Sequence, residues 1–161
     1  MKHFKITTIS LVIFLCLGCN GFSQGNGEYD VYAVRDGDTI ALTNSKDVRY
    51  IGIDTPETRK RVKGKWVWDP QPYAIKASDF NKSLVEGRKV KLEFDIEEQD
   101  RYGRWLCYVF VDGKMVNEEL VRAGYAVVYT RHPNTKYRQR LLSAEKEAQN
   151  NKRGLWAKRK K

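Results

Sequence analysis

Apolar positions divide the chain into regions before any single residue is weighed. Residues 9–17 form a nearly unbroken apolar run, whereas beyond Tyr29 short alternating stretches take over. "YDVYAVR" (29–35) and "TIALT" (39–43) flank Asp36-Gly37-Asp38, and "DVRYIGI" (47–53) follows the polar turn Asn44-Ser45-Lys46. Period-two runs bounded by such turns predict three strands joined as a meander. Arg59 to Gln71, "RKRVKGKWVWDPQ", shows no period and is expected as an exposed loop. Pro72 then opens a helix in which Ala74, Ala77, Leu84 and Val85 fall close to one face, with Gly87 as its stop. "KVKLEF" (89–94) and "RWLCYVFV" (104–111) read as strands, the second entering a hairpin turn at Asp112-Gly113. Asn117 is placed as the N-cap of a short helix, "EELVRA", that ends at Gly124. "YAVVY" (125–129) gives a short strand, and Tyr137, Leu141, Ala144 and Ala148 mark a last helix over 135–150. The basic tail "KRGLWAKRKK" is expected to fray, with Trp156 folded back on the domain.

Three strands, helix, two strands, helix, short strand, helix is an α+β order, a small barrel or rolled sheet with helices on its flanks. A five-stranded Greek-key barrel with a helix after its third strand is one member of that class. At 161 residues without an internal repeat, one domain is expected.

Charge sharpens this picture. The chain carries 30 Lys+Arg against 20 Asp+Glu, a net +10, which favours a polyanionic partner without choosing between nucleic acid and an anionic membrane surface. Lys2 and Lys5, the apolar run and Gly18 before Cys19 have the layout of a secretory signal, too short for a stable membrane span. Export is therefore expected, and Gly18-Cys19 resembles a bacterial lipoprotein processing site at which Cys19 becomes the lipidated N-terminus; plain cleavage is the alternative. The divisions are then a signal over 1–18, a Gly/Asn/Ser-rich tether over 19–28, a folded domain over 29–157 and a basic tail over 158–161. Cys16 and Cys19 fall in the signal region, which leaves Cys107, expected as a small buried hydrophobe.

Candidate chemistry gathers at the strand ends. His132 is the one histidine beyond the signal, too few for a zinc site. Hard oxygen donors are available instead: Asp36 and Asp38 in "RDGDT", Asp54 in "IDTPE", and the Thr55 carbonyl, a set that suits Ca2+. An antiparallel meander can bring Asp38 and Asp54 to one end of the sheet, with Glu57 within reach across the Thr-Pro turn. A cation that polarises a phosphoryl oxygen beside a free carboxylate that deprotonates water is the requirement of metal-assisted hydrolysis. Arg49 and Arg104 supply planar donors for a phosphate gaining charge. Taken singly, "DGDT" is a hairpin turn, Glu57 a solvated turn residue, and each arginine a surface charge. Strict alternation also puts Arg49 and Asp54 on opposite strand faces, so a shared site requires a bend, expected at Gly52.

"DGDT" (36–39), "RYIGIDTPE" (49–57), "DRYGRWLCYVFVDGKMVNEELVRAGYA" (100–126) and "RGLW" (153–156) resemble the staphylococcal nuclease family, also called thermonucleases. The resemblance spans roughly residues 29–157 and implies an OB-fold barrel with three helices. It also implies a Ca2+-dependent phosphodiesterase acting on DNA and RNA that leaves 3′-phosphates. By motif, Asp38, Asp54 and the Thr55 carbonyl resemble the calcium ligands and Asp36 a nearby outer acid. Arg49, Glu57 and Arg104 resemble the catalytic trio, and Tyr102 and Tyr129 resemble groups that contact the nucleotide. Trp66 and Trp68 have no counterpart in the resemblance; stacking on unpaired bases and capping the barrel are both open, with packing preferred. A monomer is expected. The rival reading is a non-catalytic barrel that grips single-stranded nucleic acid, and retention of Asp38, Asp54, Glu57, Arg49 and Arg104 favours hydrolysis.

Overall fold

The computed structural model of the chain describes residues 27–157. The signal region, Cys19, most of the tether and the last four residues lie outside the described residues.

Ten strands and three α-helices follow in chain order among the described residues. Strands β1 (Glu28–Asp36), β2 (Thr39–Leu42) and β3 (Asp47–Tyr50) form the meander, followed by a short β4 (Ile53–Asp54). An outlying hairpin, β5 (Arg59–Val62) and β6 (Lys65–Trp68), precedes helix α1 (Ala74–Val85). Next come β7 (Lys89–Gln99), β8 (Trp105–Val111), β9 (Lys114–Met115), α2 (Val116–Arg122), β10 (Val127–Val128) and α3 (Arg138–Asn150), with a closing 3-10 turn at Gly154–Trp156.

β1 is the pivot of the barrel. Its first residues pair with β7 and its later ones with β2, both antiparallel, with register shifts at Val31/Ala33 and Val34/Asp36. Such irregularities bend a strand and let a sheet curl. β3 then joins β8 in parallel, Val48 opposite Trp105 and Tyr50 opposite Cys107, which closes a ring of β1, β2, β3, β8 and β7. This is the expected five-stranded barrel, with α1 after the third strand. Ile40, Val48, Val90, Leu92, Val109 and Leu120 fill it and are fully buried. Cys107 is buried among them as expected, and burial pushes its thiol up beyond any nucleophilic use.

Four local expectations need correction. Residues 59–68 are a β-hairpin, turning at Lys63 and Gly64 with positive φ, and all eight strand residues are exposed. The pattern carries no period because neither face of this ribbon is buried. Trp66 and Trp68 do not cap the barrel either: they are 66% and 62% exposed. Asn117 is not an N-cap. It is the second residue of α2, fully buried, and its Oδ1 accepts from the Val109 N–H at 2.9 Å while its Nδ2 donates to the Ile51 carbonyl at 2.9 Å. Backbone groups left open where β3 and β8 part compete for the amide more strongly than the helix end does. Finally, "GLW" is ordered in its 3-10 turn, tied down by the Leu155 N–H donating to the Gly124 carbonyl at 2.8 Å.

Candidate active site

The barrel brings the two acidic motifs together through its pairing. Thr39 lies opposite Arg49 across β2 and β3, so the Asp36-Gly37-Asp38 turn sits beside the end of β3, where the Tyr50 N–H donates to the Asp38 carbonyl at 2.9 Å. Gly37 is required by close packing, since a Cβ there would lie 2.6 Å from Thr55 Oγ1 and 2.9 Å from the Ala77 Cβ. The turn thus wedges between the Thr55 segment and α1. Below it, the buried Tyr50 hydroxyl donates to Asn81 Oδ1 at 2.9 Å, and Asn81 Nδ2 donates to the Asp36 carbonyl at 3.3 Å, fixing the turn to the helix.

The expected bend is present. β3 stops at Tyr50, Gly52 takes φ +80°, and Ile53–Asp54 resume as a separate strand paired with β10, Asp54 opposite Val127. That interruption breaks the alternation between Arg49 and Asp54. A Cβ at Gly52 would stand 2.6 Å from Leu141 Cδ1, so the site needs glycine there for both conformation and space. As a result Arg49 reaches both carboxylates: Nη1 pairs with Asp38 Oδ1 and Nη2 with Asp54 Oδ1.

These charges are unequal in their surroundings. Asp38 is fully buried, Arg49 is mostly buried and Asp54 is half-exposed. Asp38 also accepts from the Thr55 N–H at 2.9 Å and the Thr39 hydroxyl at 3.2 Å. Burial nevertheless pushes its carboxyl up to about 6, outweighing the pull of Arg49 and of Thr55. Glu57 stands exposed at the rim, its N–H donating to Gln71 Oε1 at 2.9 Å. Partial desolvation, then the neighbouring Asp36 carboxyl and the Asp38 charge, raise Glu57 to about 7. A carboxylate poised near neutrality is suited to taking a proton from water.

Arg104 comes from the loop between β7 and β8, whose turn is folded around Asp100. That carboxylate accepts from the Tyr102 and Arg104 N–H groups at 2.9 and 3.1 Å and from Arg104 Nε at 2.7 Å, and it is held below the usual carboxylate range by these contacts. Arg104, Arg49, Glu57 and Asp36 line one large cleft, and Tyr102 and Tyr129 line it as well. Both tyrosines are exposed, and the Tyr102 ring carries Arg101 at 4.8 Å and Arg104 at 5.7 Å from its centre. Asp38, Asp54 and Thr55 do not line this cleft; Asp38 and Asp54 connect to it through Arg49, and Thr55 through its N–H on Asp38. Sequence reading missed Arg35, Arg131 and His132, which also line it. Arg35 had a signal, as it precedes Asp36, but the other two arrive by folding of the segment after β10.

As a cation site the donor set is sparse and of one kind. Asp38 and Asp54 converge on the Arg49 guanidinium, and Thr55 follows Asp54, so the protein offers two carboxylates and a carbonyl. No group of three or more His, Cys, Asp or Glu side chains is arranged as a metal centre among the described residues. Oxygen-only donors fit Ca2+, which accepts water in its remaining positions, and they do not fit zinc.

The family model described as "Staphylococcal nuclease homologue" matches residues 47–158. The thermonuclease of Staphylococcus hyicus is 42% identical over 141 residues, covering 85% of this chain and 80% of that protein. The thermonuclease of Staphylococcus intermedius is 36% identical over 94% of this chain and 98% of its own length. Endonuclease YncB of Bacillus subtilis (strain 168) is 47% identical over 76% of this chain, which spans 58% of that longer protein. The two thermonucleases are thus matched over 80% and 98% of their own lengths. The chain belongs to the staphylococcal nuclease family.

Proposed function

We propose that this protein is an exported, Ca2+-dependent nuclease that hydrolyses phosphodiester bonds of DNA and RNA and leaves 3′-phosphates. The observation that carries the reading is the convergence of Asp38 and Asp54 on Arg49 in a cleft that also holds Glu57 and Arg104. Thermonuclease and endonuclease are the names of the relatives. Asp38, Asp54 and the Thr55 carbonyl would hold the calcium ion, with Asp36 as an outer acid beside them. Bound there, Ca2+ supplies a positive charge that polarises a phosphoryl oxygen.

The chain's own groups do the rest. Arg49 lies in the cleft beside Asp38 and Asp54 and would offer its planar donors to a non-bridging oxygen. Arg104, pre-oriented by Asp100 in the same cleft, holds the phosphate and stabilises its developing charge. Glu57 takes a proton from the attacking water as the new oxygen–phosphorus bond forms in line with the bond to the 5′ oxygen. That bond breaks, the 5′ oxygen leaves and takes up a proton from solvent, and the phosphate stays on the 3′ side. Tyr102 and Tyr129 offer exposed rings to the flanking nucleotides. All of these groups belong to one chain, and a monomer is part of the proposal.

A nuclease assay on single-stranded DNA, double-stranded DNA and RNA tests the reading directly. Cleavage is expected with Ca2+, and its loss in EGTA should be restored by added Ca2+. Full activity in the chelator would remove the calcium assignment, and binding without cleavage under every condition would leave a non-catalytic module. Export, with Cys19 lipidated, rests on the layout of residues 1–19. Mass spectrometry of the mature N-terminus is expected to show a diacylglyceryl Cys19; an unmodified residue at another position would exclude the anchor.

A further inference from the structure

Every strand residue of the β5–β6 hairpin is exposed, yet the sequence gives it its most distinctive side chains. Its register sets Arg59 opposite Trp68, Lys60 opposite Val67, Arg61 opposite Trp66 and Val62 opposite Lys65. Alternation then places Arg59, Arg61, Trp66 and Trp68 on one face and the lysines and valines on the other. A two-stranded ribbon is marginal in water, and exposing two indoles on it is unfavourable unless something covers them. Its base is fixed by the Asp69 N–H donating to the Thr58 carbonyl at 3.2 Å and the Gln71 N–H donating to the Glu57 carbonyl at 3.0 Å. The arm is thus attached to the backbone of the proposed base itself.

We infer that the Arg59, Arg61, Trp66 and Trp68 face is a subsite for unpaired nucleotides, gripping the single strand that runs from the reacting phosphate; the inference rests on the proposed nuclease reading. Three observations choose this occupant. Residues 59–68 contain five cations and no acid, and Lys60 pairs with Asp69 just beyond them, so the surface complements a polyanion. Arg59 and Trp66 line the same cleft as Glu57 and Arg49, so the face continues the site and does not stand apart from it. Alternating guanidinium and indole groups match the alternating phosphates and bases of a single strand, whose bases are free to stack, whereas those of a duplex are not. The opposite, lysine and valine face would suit an anionic membrane, but it carries neither tryptophan.

The test reads binding, so that it stands or falls apart from catalysis. Affinity for a labelled thymidine oligonucleotide of about 20 residues and for a duplex of equal length is measured by fluorescence anisotropy in EGTA. The wild-type chain is compared with Trp66→Ala/Trp68→Ala and Trp66→Phe/Trp68→Phe. The double alanine variant is expected to lose about 10-fold or more in single-strand affinity and less than about 2-fold for the duplex, with phenylalanine restoring most of the loss. A single-strand loss below about 2-fold, or equal losses on both ligands, would overturn the subsite. So would loss of binding to phosphatidylglycerol vesicles with oligonucleotide affinity retained, because the hairpin would then be a membrane contact. If the oligonucleotide result holds while the wild-type chain cleaves nothing in Ca2+, the subsite stands and the nuclease reading alone falls.

Discussion

Glu57→Gln is expected to reduce turnover of single-stranded DNA by about 100-fold or more while leaving its affinity nearly unchanged. Glutamine keeps the volume and one acceptor of the carboxylate but cannot take a proton, so the substitution isolates the step assigned to this residue. Structural damage is a weak competitor, because Glu57 is exposed and its own backbone holds the Gln71 contacts on both sides. Affinity should survive because the proposed phosphate donors are Arg49 and Arg104, neither of which pairs with Glu57. The pH–rate profile gives a second reading of the same step. Partial desolvation and Asp36 raise Glu57 above its ordinary range, so the wild-type rate should climb as pH increases and the base loses its proton. That acid limb should flatten in the variant. Steady-state kinetics across pH, with Ca2+ saturating, would check both; a variant with normal turnover and an intact acid limb would exclude Glu57 as the base.

Legibility in the sequence followed the range over which each feature is determined. Strands β1 and β7 were readable because each buries one face more than the other, and alternation in "YDVYAVR" or "KVKLEF" records that burial directly. The bend at Gly52 was readable for a different reason: two functional side chains five residues apart had the wrong parity, and one glycine lay between them. The β5–β6 hairpin was invisible because a ribbon exposed on both faces has no apolar period to show, and its one local sign was Lys63-Gly64. Asn117 misled because its local position resembles a cap, while its partners, Val109 in β8 and Ile51 just past β3, lie 8 and 66 residues away. For the candidate site, motifs named the carboxylates and arginines, but their inequality could not be read from them. That Asp38 is sealed and Asp54 half-open depends on Gly37 packing against Thr55 and Ala77.

This inequality supports a prediction in which activity and stability move in opposite directions. Asp38→Asn is expected to cut Ca2+-dependent cleavage by more than about 100-fold, since even partners that only orient a ligand are worth about 10- to 100-fold in metal affinity. The same change should stabilise the metal-free fold near neutral pH. Asp38 is pushed up to about 6 from an ordinary 3.8, so folding favours its protonated form. The stability it contributes is complete below the unfolded value and is lost as pH rises through about 6. At neutral pH the buried charge therefore costs about 3 kcal/mol. Asparagine removes the charge but cannot accept from both the Thr55 N–H and Arg49, and part of the gain is returned. A net gain of about 1–2 kcal/mol in EGTA near neutral pH is expected by urea unfolding; it should fall through zero as pH drops from about 6 toward the ordinary 3.8 and become a small loss below that, where the wild-type carboxyl is protonated folded or unfolded and only the missing acceptor remains. Arg49 tolerates the loss because Asp54 and the cleft still receive its charge. Adding Ca2+ should reverse the order, because a ligand that binds only the folded state stabilises the wild type by mass action and has little hold on the variant. A variant several kcal/mol less stable in EGTA would mean that Asp38 serves chiefly as a structural partner of Arg49. Retained Ca2+-dependent cleavage would remove it from the ligand set.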